Sequence, residues 1–156
     1  MLALMAASTA PAQARDSLGI FESWGAFVDP SVPRCYAIAE PARRGRHVDW
    51  QPFASVGTWP KSNVRNQLHI RLSQARRSQA VVTLSIGERR FTLAAGTADA
   101  WAPDRQIDAA IIAAMRSATS MSVQTVDASG RAFADVYALR GAATAIDAAA
   151  LGCSRR

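Results

Sequence analysis

A chain of 156 residues, 49% hydrophobic and 19% charged, has the length of one domain and can bury a core without a metal or a dense set of disulfides. Its net charge of +6 comes from 18 basic residues, all arginine except Lys61. No apolar run approaches the roughly 20 residues of a transmembrane helix, so a membrane span is not expected.

The first 14 residues are predicted to be a secretory signal, cleaved after Ala14. They are apolar and uncharged, and Ala12-Gln13-Ala14 places small residues where a signal peptidase cleaves. The basic n-region of such a signal is missing, so the signal is interpreted as truncated at its start; the competing interpretation is an alanine-rich N-terminal segment. We expect residues 15–156 to form a single domain that is periplasmic or secreted.

Strand patterns dominate the chain. Residues 67–73 alternate, with Leu68 and Ile70 on one side and His69 and Arg71 on the other, as in a sheet with one face in the core and one in solvent. Gly87-Glu88 fits a type II′ hairpin turn between two such strands. Seven or eight strands are predicted: 20–28, 35–40, 53–59, 67–73, 82–86, 91–94, one from 121, and 133–139.

Two short helices are predicted, at about 105–116 and 142–151. The first has apolar residues at helical spacing and Asp104 as a plausible N-cap. The second has Gly152 where a helix C-cap glycine would lie. Many short strands with few helices favour a mainly β fold of the sandwich type, with a surface loop over 42–48.

Cys35 and Cys153 are the only cysteines in the chain. In an exported protein such a pair tends to oxidise to a disulfide, which here would fasten the C-terminal helix to an early strand. Two free thiols, a catalytic cysteine and a metal site are the alternatives, although a zinc site would need about four ligands at recurring spacing. We predict the Cys35–Cys153 disulfide, and no metal or cofactor.

No residue pattern points to catalysis. His47 and His69 are interpreted as surface histidines. Asp99, Asp104 and Asp108 are close in sequence, but Asp104 fits a helix N-cap and Asp108 an exposed helical face. Neither a GxSxG nucleophile elbow nor a phosphate-binding glycine loop occurs. We therefore predict no catalytic residues.

Tryptophans in predicted loops are candidates for a binding surface. Trp50 and Trp101 each lie in such a loop, with an aspartate shortly before and a proline shortly after. Trp24 and Trp59 lie in predicted strands and are expected in the core. Trp50 and Trp101 are thus the aromatic residues that we expect a ligand or a partner to contact.

A basic loop is the second part of the candidate surface. Arg43, Arg44 and Arg46 lie within five residues of one another, a charge density that suits an anionic partner. Nucleic acid is not expected, because its binding usually requires aromatic residues interleaved with basic ones. The predicted partner is an unidentified protein or an anionic envelope component.

The order of several segments resembles the invasion-associated locus B family of exported proteobacterial proteins. The resemblance implies an immunoglobulin-like β-sandwich in the periplasm or at the cell surface; some members act in host-cell invasion, and no family catalytic residues exist to carry over. The family commonly has a local cysteine pair after the early tryptophan, where this chain has Val28 and Asp29. The matching segments are Phe21-Glu-Ser-Trp24, Cys35-Tyr-Ala-Ile38, the strand pair 81–94, Ile107–Arg116, Met121-Ser-Val123 and Tyr137–Asp147.

The leading hypothesis is a non-enzymatic exported domain that binds a protein or an envelope component. One alternative is a periplasmic carrier of a small molecule or lipid, with a groove near Trp50 and Trp101; another is an enzyme of unrecognised type. A carrier predicts a sizeable apolar pocket. An enzyme predicts a cleft that holds carboxylates or histidines with displaced pKa values.

Overall fold

The computed structural model describes residues 15–154, which form ten antiparallel strands and two α-helices. The mainly β class and the two helices are thereby confirmed. The predicted signal, 1–14, lies outside the described residues. In chain order the elements are β1 (Asp16–Phe21), β2 (Trp24–Asp29), β3 (Arg34–Ala39), β4 (Phe53–Trp59), a short 3-10 helix (Pro60–Ser62), β5 (Val64–Arg71), β6 (Val82–Ile86), β7 (Arg89–Ala95), β8 (Asp99–Trp101), α1 (Arg105–Ser117), β9 (Ser120–Val126), β10 (Ala132–Ala138) and α2 (Ala142–Ser154).

The strands join in one hydrogen-bonded sheet in the order β1-β2-β3-β4-β5-β8-β7-β6-β9-β10. The first five follow one another as a meander. β8 then joins the edge of β5, and β7 connects this first half of the sheet to the second half. A sandwich is consistent with this order, because both halves contribute to one hydrophobic core, and the immunoglobulin-like arrangement stays a prediction.

The sheet curls so that its last strand returns to the first half. The Val136 amide in β10 donates to the carbonyl of Arg43, which follows β3. The indole Nε1 of Trp24 in β2 donates to the carbonyl of Ala138 at 2.8 Å. Both contacts connect β10 to the other end of the sheet. Trp24 is fully buried between them, as expected for a core residue.

The helices close the core on its inner side. Asp104 accepts a hydrogen bond from the Ile107 amide at 2.8 Å, so the predicted N-cap of α1 is confirmed. The predicted end of α2 at Gly152 is wrong, because the helix continues to Ser154. An alanine Cβ at Gly152 would lie 2.5 Å from Leu18 Cδ1, so this glycine allows α2 to approach β1.

Cys35 and Cys153 form a disulfide, as predicted. Their Cα atoms are 5.7 Å apart and 118 residues separate them in sequence. Cys35 lies on the inner side of β3 and Cys153 in the last turn of α2, and both are buried. The bond fastens the last helix onto the first half of the sheet, and no thiol remains free in the described chain.

Two local strand predictions were wrong and one turn was right. The predicted strand 20–28 is two strands, divided by a turn at Glu22, whose φ of 55° is left-handed. Trp101 lies in β8 instead of a loop. The hairpin turn at Gly87-Glu88 is confirmed, with a φ of 57° at Gly87 and Ile86 paired with Arg89.

No helix within residues 15–154 combines the length and the apolar character needed to cross a membrane.

Candidate functional site

The two halves of the sheet present different side chains to solvent. In the second half, the outward positions of β6, β7 and β9 carry mostly small polar residues, with Arg90 opposite Ser85, and neighbouring strands pair Thr83 with Gln124 and Ser85 with Ser122. This is the ordinary character of an antiparallel sheet with one solvated face. We call these outward side chains the polar face: Thr83, Ser85, Thr92, Ser122 and Gln124.

In the first half, aromatic rings occupy many of the outward positions, among polar residues such as Ser55 and Gln67. Phe27 and Tyr36 on β2 and β3 have ring centroids 5.7 Å apart, and the guanidinium of Arg34 lies 4.6 Å above the Tyr36 ring. Ile20, on the neighbouring β1, is 68% exposed. We call the outward rings of this half the aromatic face: Phe27, Tyr36, Phe53, Trp59, His69 and Trp101.

Glycines in the strands leave room for the rings of the aromatic face to pack on the backbone. A Cβ at Gly25 would lie 2.6 Å from a ring carbon of Phe27, and a Cβ at Gly57 would lie 2.8 Å from the ring of Trp59. The rings therefore lie flat over bare backbone instead of standing upright in solvent. Trp59, expected in the core, is instead half-buried on this outer side.

His69 is the centre of a compact polar and aromatic cluster. Its ring stacks on Trp101, with centroids 5.4 Å apart and planes 8° apart, and meets the edge of Phe53 at 5.1 Å. Its Nε2 lies 2.7 Å from Asp99 Oδ1, which also accepts from Arg71 Nε at 2.9 Å. His69 was predicted to be a surface histidine. Its side chain does point to the outer side of the sheet, but only 27% of it is exposed.

The register between β5 and β8 produces this cluster. His69 pairs with Trp101, and Arg71 pairs with Asp99, so the four side chains emerge on one face as two adjacent pairs. Cross-strand neighbours at such positions are about 5 Å apart. Asp99 therefore belongs to the aromatic face, whereas Asp104 is engaged at the start of α1.

Asp108 is not exposed, contrary to expectation. The side chain is buried and its Oδ1 accepts the Leu68 amide of β5 at 2.9 Å. Because β8 is only three residues long, it does not pair with Leu68, and Asp108 satisfies this amide in its place. Burial raises the pKa of Asp108, and the hydrogen bond from Leu68 opposes that shift.

Asp135 is a second buried carboxyl group, and no sequence pattern had singled it out. It is fully buried on the inner side of β10, where Oδ2 accepts the Ser73 amide at 2.9 Å. Burial raises its pKa; the hydrogen bonding of Ser73 and the charge of Arg44 act in the opposite direction. Asp135 thus connects the end of β5 to β10.

The structure does not bring all predicted surface residues together. Trp101 belongs to the aromatic face, whereas the indole of Trp50 donates to the Leu72 carbonyl at the end of β5. The three arginines of the basic loop are exposed, and Arg43 bridges to β10. The predicted basic loop is therefore a separate surface from the one that contains Trp101; the residues concerned are Arg43, Arg44 and Arg46.

Residues 15–154 contain no cluster of three or more His, Cys, Asp or Glu side chains that could hold a metal ion. A groove of about 370 Å³ runs beside the aromatic face, lined in part by Ile20, Phe27 and Phe53. The groove is open to solvent along its length. It extends the aromatic face toward β1.

No protein-family model, curated protein sequence or solved structure matches this chain.

Proposed function

We propose that this chain is an exported, non-enzymatic binding domain that recognises an acidic protein partner through its aromatic face. The observation that carries the proposal is the contrast between the two halves of one sheet. The polar face has the composition of a solvated surface, whereas the aromatic face presents half-buried rings and the exposed Ile20 to solvent. Large exposed apolar patches usually mark interaction sites.

The composition of the aromatic face favours a protein as the partner. Tryptophan, tyrosine and arginine are enriched among the residues that dominate binding energy at protein interfaces. Here Trp101 is held by its stack on His69, so little of its side-chain entropy is lost on binding, whereas Tyr36 is only 4% exposed beneath Arg34. Arg71 lies beside Trp101, and the net charge of +6 favours an acidic partner.

The surroundings of His69 support a binding role over a catalytic one. Its Nε2 is engaged by Asp99, one ring face is against Trp101, and Phe53 meets the ring. A general base needs an accessible nitrogen; the contact with Asp99 leaves only Nδ1 for that role, and the ring that carries it is packed against Trp101 and Phe53. Asp108 and Asp135 are the two buried carboxyl groups with raised pKa values. Each accepts a hydrogen bond from a backbone amide, Leu68 in β5 and Ser73 just after it, which indicates a structural role.

A carrier function has less support. The groove beside Ile20 and Phe53 is lined by neither Trp50 nor Trp101, beside which a carrier groove was expected. Within the described chain its lining includes Glu22 and Glu40 and no basic residue, so it offers an anionic lipid headgroup no positive charge.

Export is supported by the disulfide and by the signal-like character of residues 1–14. Disulfides form and persist mainly in oxidising compartments. A periplasmic or cell-surface protein resembling the invasion-associated locus B family would meet envelope proteins there.

The test uses two exposed aliphatic residues as a matched pair. Ile20 lies beside the aromatic face and is 68% exposed, and Val81 precedes β6 in the second half and is 63% exposed. A protein that is captured from envelope extracts by the oxidised domain is purified, and its affinity is measured for the wild type, Ile20→Ser and Val81→Ser. We expect Ile20→Ser to weaken binding about tenfold, or ~1.4 kcal/mol, and Val81→Ser to leave it unchanged.

The proposal fails if both substitutions have the same effect. It also fails if Trp101→Ala, which removes the largest ring of the cluster, leaves the affinity unchanged. A circular-dichroism melt of each variant shows whether the domain is still folded.

A further inference from the structure

A second surface feature lies between α1 and the start of β5. Because β8 pairs only with the last three residues of β5, the first part of that strand has no strand neighbour on this side. α1 takes the position of the missing strand, held by the Asp108–Leu68 hydrogen bond. A groove of about 420 Å³ remains between the helix and the strand.

A β-bulge directs two side chains toward this groove. Gly57 pairs with Gln67 and Trp59 with Val64, so two residues of β5, Arg65 and Asn66, face a single residue of β4. Asn66 has a left-handed φ of 48°. Bulges bend a strand and change the direction in which its side chains point, and here both bulge residues line the groove.

The helix contributes one continuous stripe to the groove. Ala109, Ile112 and Ala113 form its apolar part, with Arg105 and Arg116 at the two ends of the stripe. The two arginines are eleven positions apart along the helix, which corresponds to about 16 Å. The groove is therefore elongated, apolar along its middle and bordered by positive charge.

The charge of the groove is only partly compensated. Arg116 donates a hydrogen bond to the carboxylate of Asp147 in α2, and one Nη of Arg105 donates a hydrogen bond to the Asn63 carbonyl. No ion pair or side-chain hydrogen bond involves Arg65 within residues 15–154. The acidic residue that lines the groove is Asp108, whose carboxylate is buried and bound to an amide.

We infer that this groove binds an anionic single-chain amphiphile, whose headgroup contacts Arg65 and whose chain lies along the alanines of α1. Guanidinium groups bind phosphate and carboxylate oxygens in bidentate geometry. The groove volume of about 420 Å³ falls within the roughly 300–1,000 Å³ of ordinary small-molecule sites. A phosphate with an alkyl chain of about eight carbons is a ligand of that class.

The test is calorimetric titration of the oxidised domain with octyl phosphate below its micelle concentration. Arg65→Gln removes the positive charge and keeps most of the side-chain volume. Ala113→Leu fills the apolar middle of the groove. Arg90→Gln, an exposed arginine on β7, is the matched control for net charge. We expect binding to the wild type, about tenfold weaker binding to Arg65→Gln, no detectable binding to Ala113→Leu, and wild-type affinity in Arg90→Gln.

The inference is overturned if octyl phosphate does not bind, or binds equally to the wild type, Arg65→Gln and Ala113→Leu. If inorganic phosphate bound with the same affinity, the alkyl chain would contribute nothing and the ligand would not be an amphiphile. If octyl glucoside bound with the same affinity, the ligand would not need a negative charge. Ile20→Ser should leave octyl phosphate binding unchanged, so the result is independent of the aromatic face. Melts of the variants confirm that each is folded.

Discussion

His69 and Trp101 stack on the outer side of the sheet, with ring centroids 5.4 Å apart and planes inclined by only 8°. The two residues pair directly across β5 and β8, and Phe53 meets the imidazole from the next strand. Aromatic contacts usually lie in the core, whereas these form on the side that faces solvent. The stack fixes the rings that we propose a partner contacts.

The stack should be measurable as a coupling free energy. In a double-mutant cycle of His69→Ala and Trp101→Ala, urea unfolding should give a coupling of about 0.5–1.5 kcal/mol, because each substitution removes the same ring contact. The control cycle pairs His69→Ala with Val81→Ala in the other half of the sheet, where the effects should add. Additive losses in the first cycle would show that the stack contributes nothing.

The disulfide should contribute strongly to stability, because it closes a long loop. For a separation of 118 residues, loop entropy corresponds to about 4–5 kcal/mol. The Cys35→Ser/Cys153→Ser double variant should therefore melt well below the oxidised protein, by roughly 10 °C or more in calorimetry. Reductant should lower the wild-type melting temperature and leave that of the double variant unchanged. Equal melting of the oxidised and reduced wild type would contradict the assigned role of the bond.

Asp135 should make stability depend on pH in a direction opposite to that of a salt-bridged carboxylate. Its pKa is raised in the folded protein from an ordinary value of 3.8, so the native state binds the proton more tightly than the unfolded chain. The wild type should therefore lose stability relative to Asp135→Asn as the pH rises from about 4 through the raised pKa. Between the pKa of the unfolded chain and that of the folded protein, the loss should be about 1.4 kcal/mol per pH unit. Urea unfolding of both proteins from about pH 4 to about pH 8 measures the difference. A difference that is constant or of opposite slope would contradict this assignment.

Gly141 should tolerate substitution much less well than another glycine of positive φ. Its φ is 85°, and an alanine Cβ would overlap the Phe21 carbonyl oxygen at the turn where α2 begins. At Gly87, with a φ of 57°, the nearest atom would be 4.0 Å away. We expect Gly87→Ala to cost about 1–2 kcal/mol and Gly141→Ala clearly more, or to prevent folding. Equal losses in urea unfolding would show that α2 can shift away from β1 at no cost.

Features with a local signal were predictable from the sequence. Alternation over 67–73 identified β5 and the outward register of His69, and the Asp104 N-cap marked the start of α1. The disulfide could be predicted because two cysteines allow a single intramolecular pairing. Each of these inferences depends on a periodicity, a cap or a count that is visible in a short stretch of sequence or in the composition.

Features that depend on tertiary contact were not predictable. β8 has only three residues and is followed closely by Pro103, so Trp101 has the sequence context of a loop. The turn at Glu22 lacks the glycine or proline that usually marks one. The pairing of His69 with Asp99 depends on strands that are 30 residues apart in sequence. The burial of Asp108 depends on the short β8, which leaves the Leu68 amide without a strand partner.

The central claim, that a protein partner binds the aromatic face, is tested most directly by site-specific photo-crosslinking. A benzophenone amino acid is placed at Ala94, an exposed residue that pairs with Trp101, or at Gln124 on the polar face, and the protein is expressed in envelope-bearing cells. After irradiation, crosslinked adducts are resolved by mass. We expect a discrete protein adduct from position 94 that is absent from position 124 and lost in the Ile20→Ser background. Adducts that are equal at both positions, or that form only at position 124, would contradict it.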